Sequence, residues 1–319
     1  MLRKHWKKIV VTLVAVLLVV DIAASFFFYH LAISRGEKTF LEDNADLEVS
    51  AESLDEMLDG EWREWVAKQP FEELQMESRD GLSLVGYYLP AKEKTDKLVI
   101  FTHGYLGHAK QMGIYGQYYY EDLGYNLFMA DARGHGSSEG DYYGFGWHDR
   151  LDLIDWTKLL VNKLGNETQI VYHGLSMGAA TVLMASGEKD MSENVSAIIA
   201  DSPYSSVYEL FSYQIKRMFK LPPFPILDST SLVTKALAGY SFREASSLKQ
   251  VEKAEVPILY IHGKEDTFVP TNLAEELYEH TNSEAELMLV DGANHGESFV
   301  LEKEAYKERL NSFLLKYIK

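Results

Sequence analysis

Gln169-Ile170-Val171-Tyr172-His173-Gly174-Leu175-Ser176-Met177-Gly178-Ala179-Ala180-Thr181-Val182-Leu183-Met184 is the stretch on which the reading of this chain turns. It begins as a short apolar run of strand type, breaks at Gly174, and resumes at once in a helical pattern. Between the two lies Gly174-Leu175-Ser176-Met177-Gly178. A sharp turn from strand to helix leaves no room for side chains two residues either side of its tip, so glycine is required at both places. Such a turn lifts the Ser176 hydroxyl clear of the sheet. It also aims the Met177 N–H, at the positive end of the following helix, to where an oxyanion would form.

The same five-residue pattern recurs at Gly136-Ser137-Ser138-Glu139-Gly140. No strand pattern leads into it and no helix follows, so it reads as a loop, and Ser176 is the candidate nucleophile.

Outward from this point the chain alternates. Strand patterns cover 82–89, 97–102, 126–130, 169–173, 195–200, 257–261 and 286–290, and helical patterns cover 109–122, 147–164, 177–187, 271–281 and 299–317. Short apolar runs bounded by Gly, Asp and Pro fit strands buried on both faces. The expected fold class is α/β, with a mostly parallel central sheet and helices on both faces. The interval 203–253 breaks the rhythm. It is rich in Phe, Tyr, Met and Leu and is interrupted at Leu221-Pro222-Pro223-Phe224-Pro225. We read it as a helical cap inserted over the crevice at the strand ends.

A serine nucleophile needs a base, and the base needs an orienting acid. Of the histidines, His295 lies in a loop between the last strand and the last helix, from which it can reach Ser176. His173 precedes the turn and points elsewhere, and His262 reads as part of the crevice wall. The acid candidate is Asp266, one strand earlier, with Asp201 as the alternative. Asp291 reads as a turn residue. His108 is a loop histidine that could reach substrate.

The blocks His103-Gly104-Tyr105, Asp131-Ala132-Arg133-Gly134-His135-Gly136, the Ser176 turn, His262-Gly263 with Asp266, and Asn294-His295-Gly296 resemble those of α/β-hydrolase fold serine hydrolases. Within that fold the chain is similar to the bacterial serine aminopeptidase-like and esterase-like group, which includes membrane-anchored members of Gram-positive bacteria. The resemblance spans about 97–300. It implies a triad of Ser176, Asp266 and His295, with the backbone N–H groups of Tyr105 and Met177 as the oxyanion hole. It also implies that the Asp131–Gly136 block is structural. The expected activity is cleavage of acyl esters through an acyl-enzyme. A peptidase or amidase and an acyltransferase are the alternatives within the fold, and a non-catalytic surface binding protein is the alternative outside it. No metal or organic cofactor is implied.

Composition sets the remaining bounds. The 319 residues are 46% hydrophobic and 25% charged, the balance of a folded protein. Net charge is -17, which disfavours nucleic acid as a partner. Cysteine is absent, so disulfides, thiolate metal sites and cysteine nucleophiles are excluded.

Residues 1–35 are different in kind. Arg3, Lys4, Lys7 and Lys8 precede an apolar run from Ile9 to Val20, interrupted at Asp21 and resumed from Ile22 to Ile33. The expectation is a single-pass membrane anchor with the basic end in the cytoplasm and the catalytic domain outside. A cleaved signal peptide ending near Ala23-Ala24-Ser25, and hence a secreted domain, is the competing reading. Residues 36–79, with Glu42, Asp43, Asp46, Glu48, Glu52, Asp55 and Glu56, read as an acidic, partly helical connector. It would pack on the hydrolase domain, 80–319, through Trp62 and Trp65. Expected partners are a small acyl substrate, a lipid or an acylated wall polymer, and the membrane.

Overall fold

The computed structural model describes residues 2–38 and 51–319. Residues 39–50, and with them Glu42, Asp43, Asp46 and Glu48, lie outside the described residues. In chain order the elements begin with helices α1 (Leu2–Phe28), α2 (Ala51–Asp59) and α3 (Glu61–Lys68). Strands β1 (Glu72–Glu77), β2 (Ser83–Leu89) and β3 (Lys97–Thr102) follow. Then come α4 (Gly113–Glu121), β4 (Asn126–Ala130), α5 (Asp149–Leu164), β5 (Gln169–Leu175), α6 (Met177–Ser186) and β6 (Val195–Asp201). The interval between β6 and the next strand holds α7 (Val207–Phe219), α8 (Ile226–Ala238) and the short α9 (Leu248–Val251). The chain closes with β7 (Ile258–Gly263), α10 (Thr271–His280), β8 (Ala285–Val290), α11 (Ser298–Leu301) and α12 (Lys303–Tyr317).

Among the described residues the sheet has eight strands in the order β1-β2-β4-β3-β5-β6-β7-β8. β2 runs antiparallel to both of its neighbours, β1 and β4, and all the other pairs are parallel. Strand residues alternate between two cores, as a period of two requires. Leu98 and Ile100 face the layer of Trp156, Leu160 and Leu183, whereas Val99 and Phe101 face Tyr119, Tyr306 and Phe313. A sheet covered on both faces explains why the central strands are apolar throughout.

The sheet starts earlier than the sequence patterns suggest. β1 lies within the expected connector, which moves the domain boundary from residue 80 back to Glu72. The physical reason is its position: it is an edge strand whose side chains are exposed or half-buried, so Glu72-Glu73-Leu74-Gln75-Met76-Glu77 carries no apolar run to detect. Ahead of it, Trp62 is buried, and the Trp65 indole N–H donates to Glu121 Oε1 at 2.8 Å while its ring leans on Tyr120.

Parallel register brings the strand ends to one edge. Thr102 pairs with Gly174, Leu175 with Asp201, and Gly263 with Val290. The loops after β3, β5, β6, β7 and β8 therefore emerge side by side, with α7 and α8 above them. The third core, under this cap, joins Phe145, Tyr204, Leu210, Leu227 and Phe242 to Tyr29 and Ile33 from the N-terminal segment.

The turn after β5 is as tight as its glycines imply. Ser176 has φ +55° and ψ −113°, a region that L-residues rarely occupy. A Cβ added at Gly174 would lie 2.3 Å from Gly178 O, and one at Gly178 would lie 2.0 Å from Thr102 O. Because those neighbours are backbone, neither can yield cheaply. Gly178→Ala should therefore lower the unfolding free energy by about 1–3 kcal/mol, measured by urea denaturation of the full chain in detergent micelles. An unchanged midpoint would show that the packing of α6 on β3 is looser than these distances require.

Candidate active site

Ser176 sits at the tip of the β5–α6 turn, with its N–H donating to Asp201 O at 2.8 Å. Its Oγ is 2.8 Å from His295 Nε2. His295 Nδ1 is in turn 2.7 Å from Asp266 Oδ2. A carboxylate only accepts, so Nδ1 carries the proton and donates it, leaving Nε2 to accept from the serine hydroxyl. The structure thus brings together Ser176, Asp266 and His295, which lie 90 and 29 residues apart along the chain.

Each member is held from behind. Asp266 Oδ1 accepts from the backbone N–H groups of Phe268 at 2.9 Å and Val269 at 2.7 Å. His295 is set by its loop: its N–H donates to Asn294 Oδ1 at 2.9 Å, and the same oxygen accepts from Thr267 N at 3.1 Å. One amide side chain thereby ties the histidine loop to the aspartate loop.

His262 is not part of the crevice wall. It is completely buried behind Asp266, with Nε2 2.8 Å from Val269 O and 3.1 Å from Asp266 Oδ2. Because Val269 O can only accept, Nε2 carries the proton. The Asp266 carboxylate therefore faces two imidazole donors. Its spacing of four residues from His262 across the end of β7 was the available sequence signal.

The electrostatics follow from these contacts. Burial pushes the Asp266 carboxyl up, but His295 and His262 outweigh it and hold it well below the usual carboxylate range. Burial likewise pushes His295 down, but Asp266, with help from Asp201, leaves the imidazole above its ordinary value. Asp201, the alternative acid, is fully occupied elsewhere: it accepts from Ser202 Oγ at 3.0 Å and from the Tyr306 and Tyr115 hydroxyls at 3.1 and 3.2 Å. Burial raises its pKa. His173 points into the opposite core, between the hydroxyls of Tyr119 and Tyr306.

Tyr105 lies three residues past the end of β3. A Cβ added at Gly104 would lie 3.6 Å from Ser176 Cβ, so the His103–Tyr105 backbone passes close beside the serine. On the other side stands the Met177 N–H, in the first turn of α6, where no helical carbonyl is available to it.

The Asp131–Gly136 block supports this loop from behind. Arg133 is buried and binds Asp152 through two contacts of 2.8 Å, and Asp80 at 2.8 and 3.2 Å. Asp131 Oδ1 accepts from Ala109 N at 2.7 Å, and His103 Nε2 accepts from Ala132 N at 3.0 Å. Ser138, the centre of the second glycine-serine-glycine pattern, is buried with its Oγ donating to Asp131 O and accepting from Val85 N. His108 is exposed and lies outside the pocket lining. Asp291 is at the exposed end of β8, paired with Lys264 at 2.5 Å.

The pocket beside Ser176 holds about 860 Å³ of empty space, its mouth included. Ser176, Gln214 and Thr230 are its polar lining residues apart from two tyrosines, and none of its lining side chains is charged. Phe28, Leu31 and Ala32 of the N-terminal segment are part of this lining, a contribution that sequence patterns did not reveal. Among the described residues no group of three or more His, Asp or Glu is arranged to hold a metal ion.

The chain is similar to known proteins in sequence and in fold. The sequence is 32% identical over 238 residues to the uncharacterized protein YqkD of Bacillus subtilis, covering 73% of this chain and 76% of that one. It is 28% identical over 202 residues to the lysophosphatidylserine lipase ABHD12 of Danio rerio, covering 60% of this chain and 49% of that protein. The fold matches the esterase Pf2001 of Pyrococcus furiosus with a TM-score of 0.62 and 25% identity, over 80% of this chain and 93% of that one. A sequence model of the prolyl oligopeptidase family matches residues 112–319, a span that includes Ser176, Asp266 and His295. The chain belongs to the prolyl oligopeptidase family, and it is a serine hydrolase of the α/β-hydrolase fold.

Proposed function

We propose that this protein hydrolyses carboxylic esters of apolar acyl groups at a membrane surface. The observation that carries the reading is the continuous Asp266–His295–Ser176 hydrogen-bonded chain opening onto a pocket without charged lining. Ser176 Oγ attacks the acyl carbonyl while His295 Nε2 takes its proton. Asp266 holds the tautomer and stabilises the imidazolium that results. The carbonyl oxygen becomes an oxyanion, received by the N–H groups of Tyr105 and Met177, each worth roughly 3 kcal/mol in such sites. His295 then protonates the departing alkoxide. Water, activated by the same imidazole, breaks the acyl-enzyme and restores Ser176.

Amide cleavage by the same groups is the second reading, favoured by the family to which the chain belongs. Recognition of a free peptide terminus calls for a counter-charge, and the pocket lining offers none. The similar esterase and lipase named above also favour the ester. For location, α1 with the following turn, His5–Ile33, is a helix long and apolar enough to cross a membrane. With Lys7 and Lys8 in its first turn and an acidic body after it, we place the catalytic domain outside the cell membrane.

Three outcomes test this reading. A fluorophosphonate probe should label the wild-type chain and leave Ser176→Ala unlabelled, read by intact mass. On nitrophenyl esters, kcat/KM should exceed that on the matching aminoacyl anilides by at least 100-fold; the reverse order would favour the peptidase. The pH profile should fall on the acid side through an apparent pKa above that of ordinary histidine, because His295 must be neutral to accept the proton. Asp266→Asn removes the group that raises it, so that limb should move to lower pH while kcat drops by about 10³–10⁴-fold. An acid limb that stays in place in the variant would remove His295 from the role of base.

A further inference from the structure

The N-terminal helix is built into the hydrolase body. The Tyr105 hydroxyl donates to Ala32 O at 2.8 Å. Tyr143 N donates to Ile33 O, and Arg35 N to Asp141 O, both at 2.8 Å. The Arg35 guanidinium donates to the carbonyls of Ser138, Gly140 and Gly136 at 3.1 to 3.3 Å. These contacts staple residues 32–35 to the loop behind the site, so the Phe28–Ala32 wall of the pocket is fixed in place. On the opposite side α7 runs along the pocket, lining it from Leu210 to Phe219, a length of ~14 Å at the helical rise. Phe219 meets Phe28 edge to face, with ring centroids 5.0 Å apart.

Helix length then sets the depth of this wall. Ile9 to Val20 spans only ~18 Å, against a hydrocarbon core of ~30 Å. The basic residues before Ile9 cannot supply the difference, so about eight further residues, 21–28, must also lie at hydrocarbon depth. Those residues are not free. Asp21 Oδ2 accepts from Ser229 Oγ of α8 at 2.6 Å, which gives the carboxylate that interrupts the apolar run a partner. On the cap beside them Phe224 is 73% exposed and Leu232 71% exposed. An anchor that crosses the bilayer therefore brings α8 and the turn before it, with Phe224, against its outer leaflet.

We propose that Phe28, Leu31 and Ala32 form the wall that sets acyl-chain length, and that the substrate is a bilayer amphiphile whose chain enters the pocket from the membrane beside α1. This rests on the acyl-ester reading above. The class of substrate is an ester with one long apolar chain and a polar head that remains at the interface.

The test uses the full chain in vesicles of dioleoyl phosphatidylethanolamine and phosphatidylglycerol, 3:1, with nitrophenyl esters from acetate to palmitate. Leu31→Trp fills the wall and should lower the ratio of kcat/KM on palmitate to that on acetate at least tenfold. Leu31→Phe, a smaller change, should lower it by a smaller factor if the first variant fails to fold. Ratios within twofold of wild type in a variant with wild-type thermal unfolding would overturn the wall. A wild-type chain inactive on every ester, acetate included, would instead sink the acyl-ester reading itself. The bilayer route has its own readout, because the chain contains no cysteine. Phe224→Cys carrying a nitrobenzoxadiazole label should be quenched several-fold by vesicles whose lipids bear doxyl groups on the acyl chains. A label unquenched there would overturn entry from the membrane.

Discussion

At residue 178 the chain has room for a hydrogen and nothing more. The Thr102 carbonyl oxygen stands where a Cβ would go, and at residue 174 the Gly178 carbonyl stands in the same relation. This backbone-on-backbone contact between β3, β5 and α6 is what the remainder depends on. It forces the chain to reverse within one residue, and it holds Ser176 in a conformation that costs of order 1–3 kcal/mol. The surrounding parallel sheet, covered on both faces, over-determines that conformation. The strain places the hydroxyl above the sheet edge and leaves the first N–H groups of α6 beside it.

Around that point the site is built from loops that share an edge but little sequence. The aspartate and histidine arrive from the ends of β7 and β8, and the Asn294 amide oxygen clasps the two loops. Asp266 accepts from two backbone N–H groups and faces two imidazoles, so its charge is retained in a buried place where a lone carboxylate would be neutralised. That retained charge makes His295 more basic while keeping its accepting nitrogen toward Ser176. Asp201, one strand nearer the nucleophile, is consumed by two tyrosines and a serine, so the carboxylate closer along the sheet is not the one that meets the imidazole.

The N-terminal segment changes what the pocket is. The N-terminal helix, long and apolar enough to cross a membrane, also supplies three side chains to the lining beside the serine, and the Tyr105 hydroxyl donates to its Ala32 carbonyl. On the reading proposed above, attachment and substrate binding share one element. The cap completes the enclosure with apolar side chains on both its inner and outer faces, an arrangement suited to a lipid phase on one side and an acyl chain on the other.

What can be read from residues alone here is whatever local sterics dictate. Glycine two residues either side of Ser176 follows from the volume of a turn, the buried strands follow from unbroken apolar runs, and the cap from the absence of such a run between 203 and 253. The order Ser176, Asp266, His295 was legible for the same reason, since each lies just past a strand pattern. The polar edge strand β1 was not legible, because a half-exposed strand with only Leu74 and Met76 turned toward the core carries no apolar run. Nor was the second imidazole on Asp266, which is a contact through space across a loop. The entry of Phe28, Leu31 and Ala32 into the pocket lies furthest from sequence. Apolar composition states that a segment avoids water, and only the packing of the folded chain decides whether it avoids water in a bilayer, in a core or, as the contacts of α1 with the cap indicate, against the wall of the pocket.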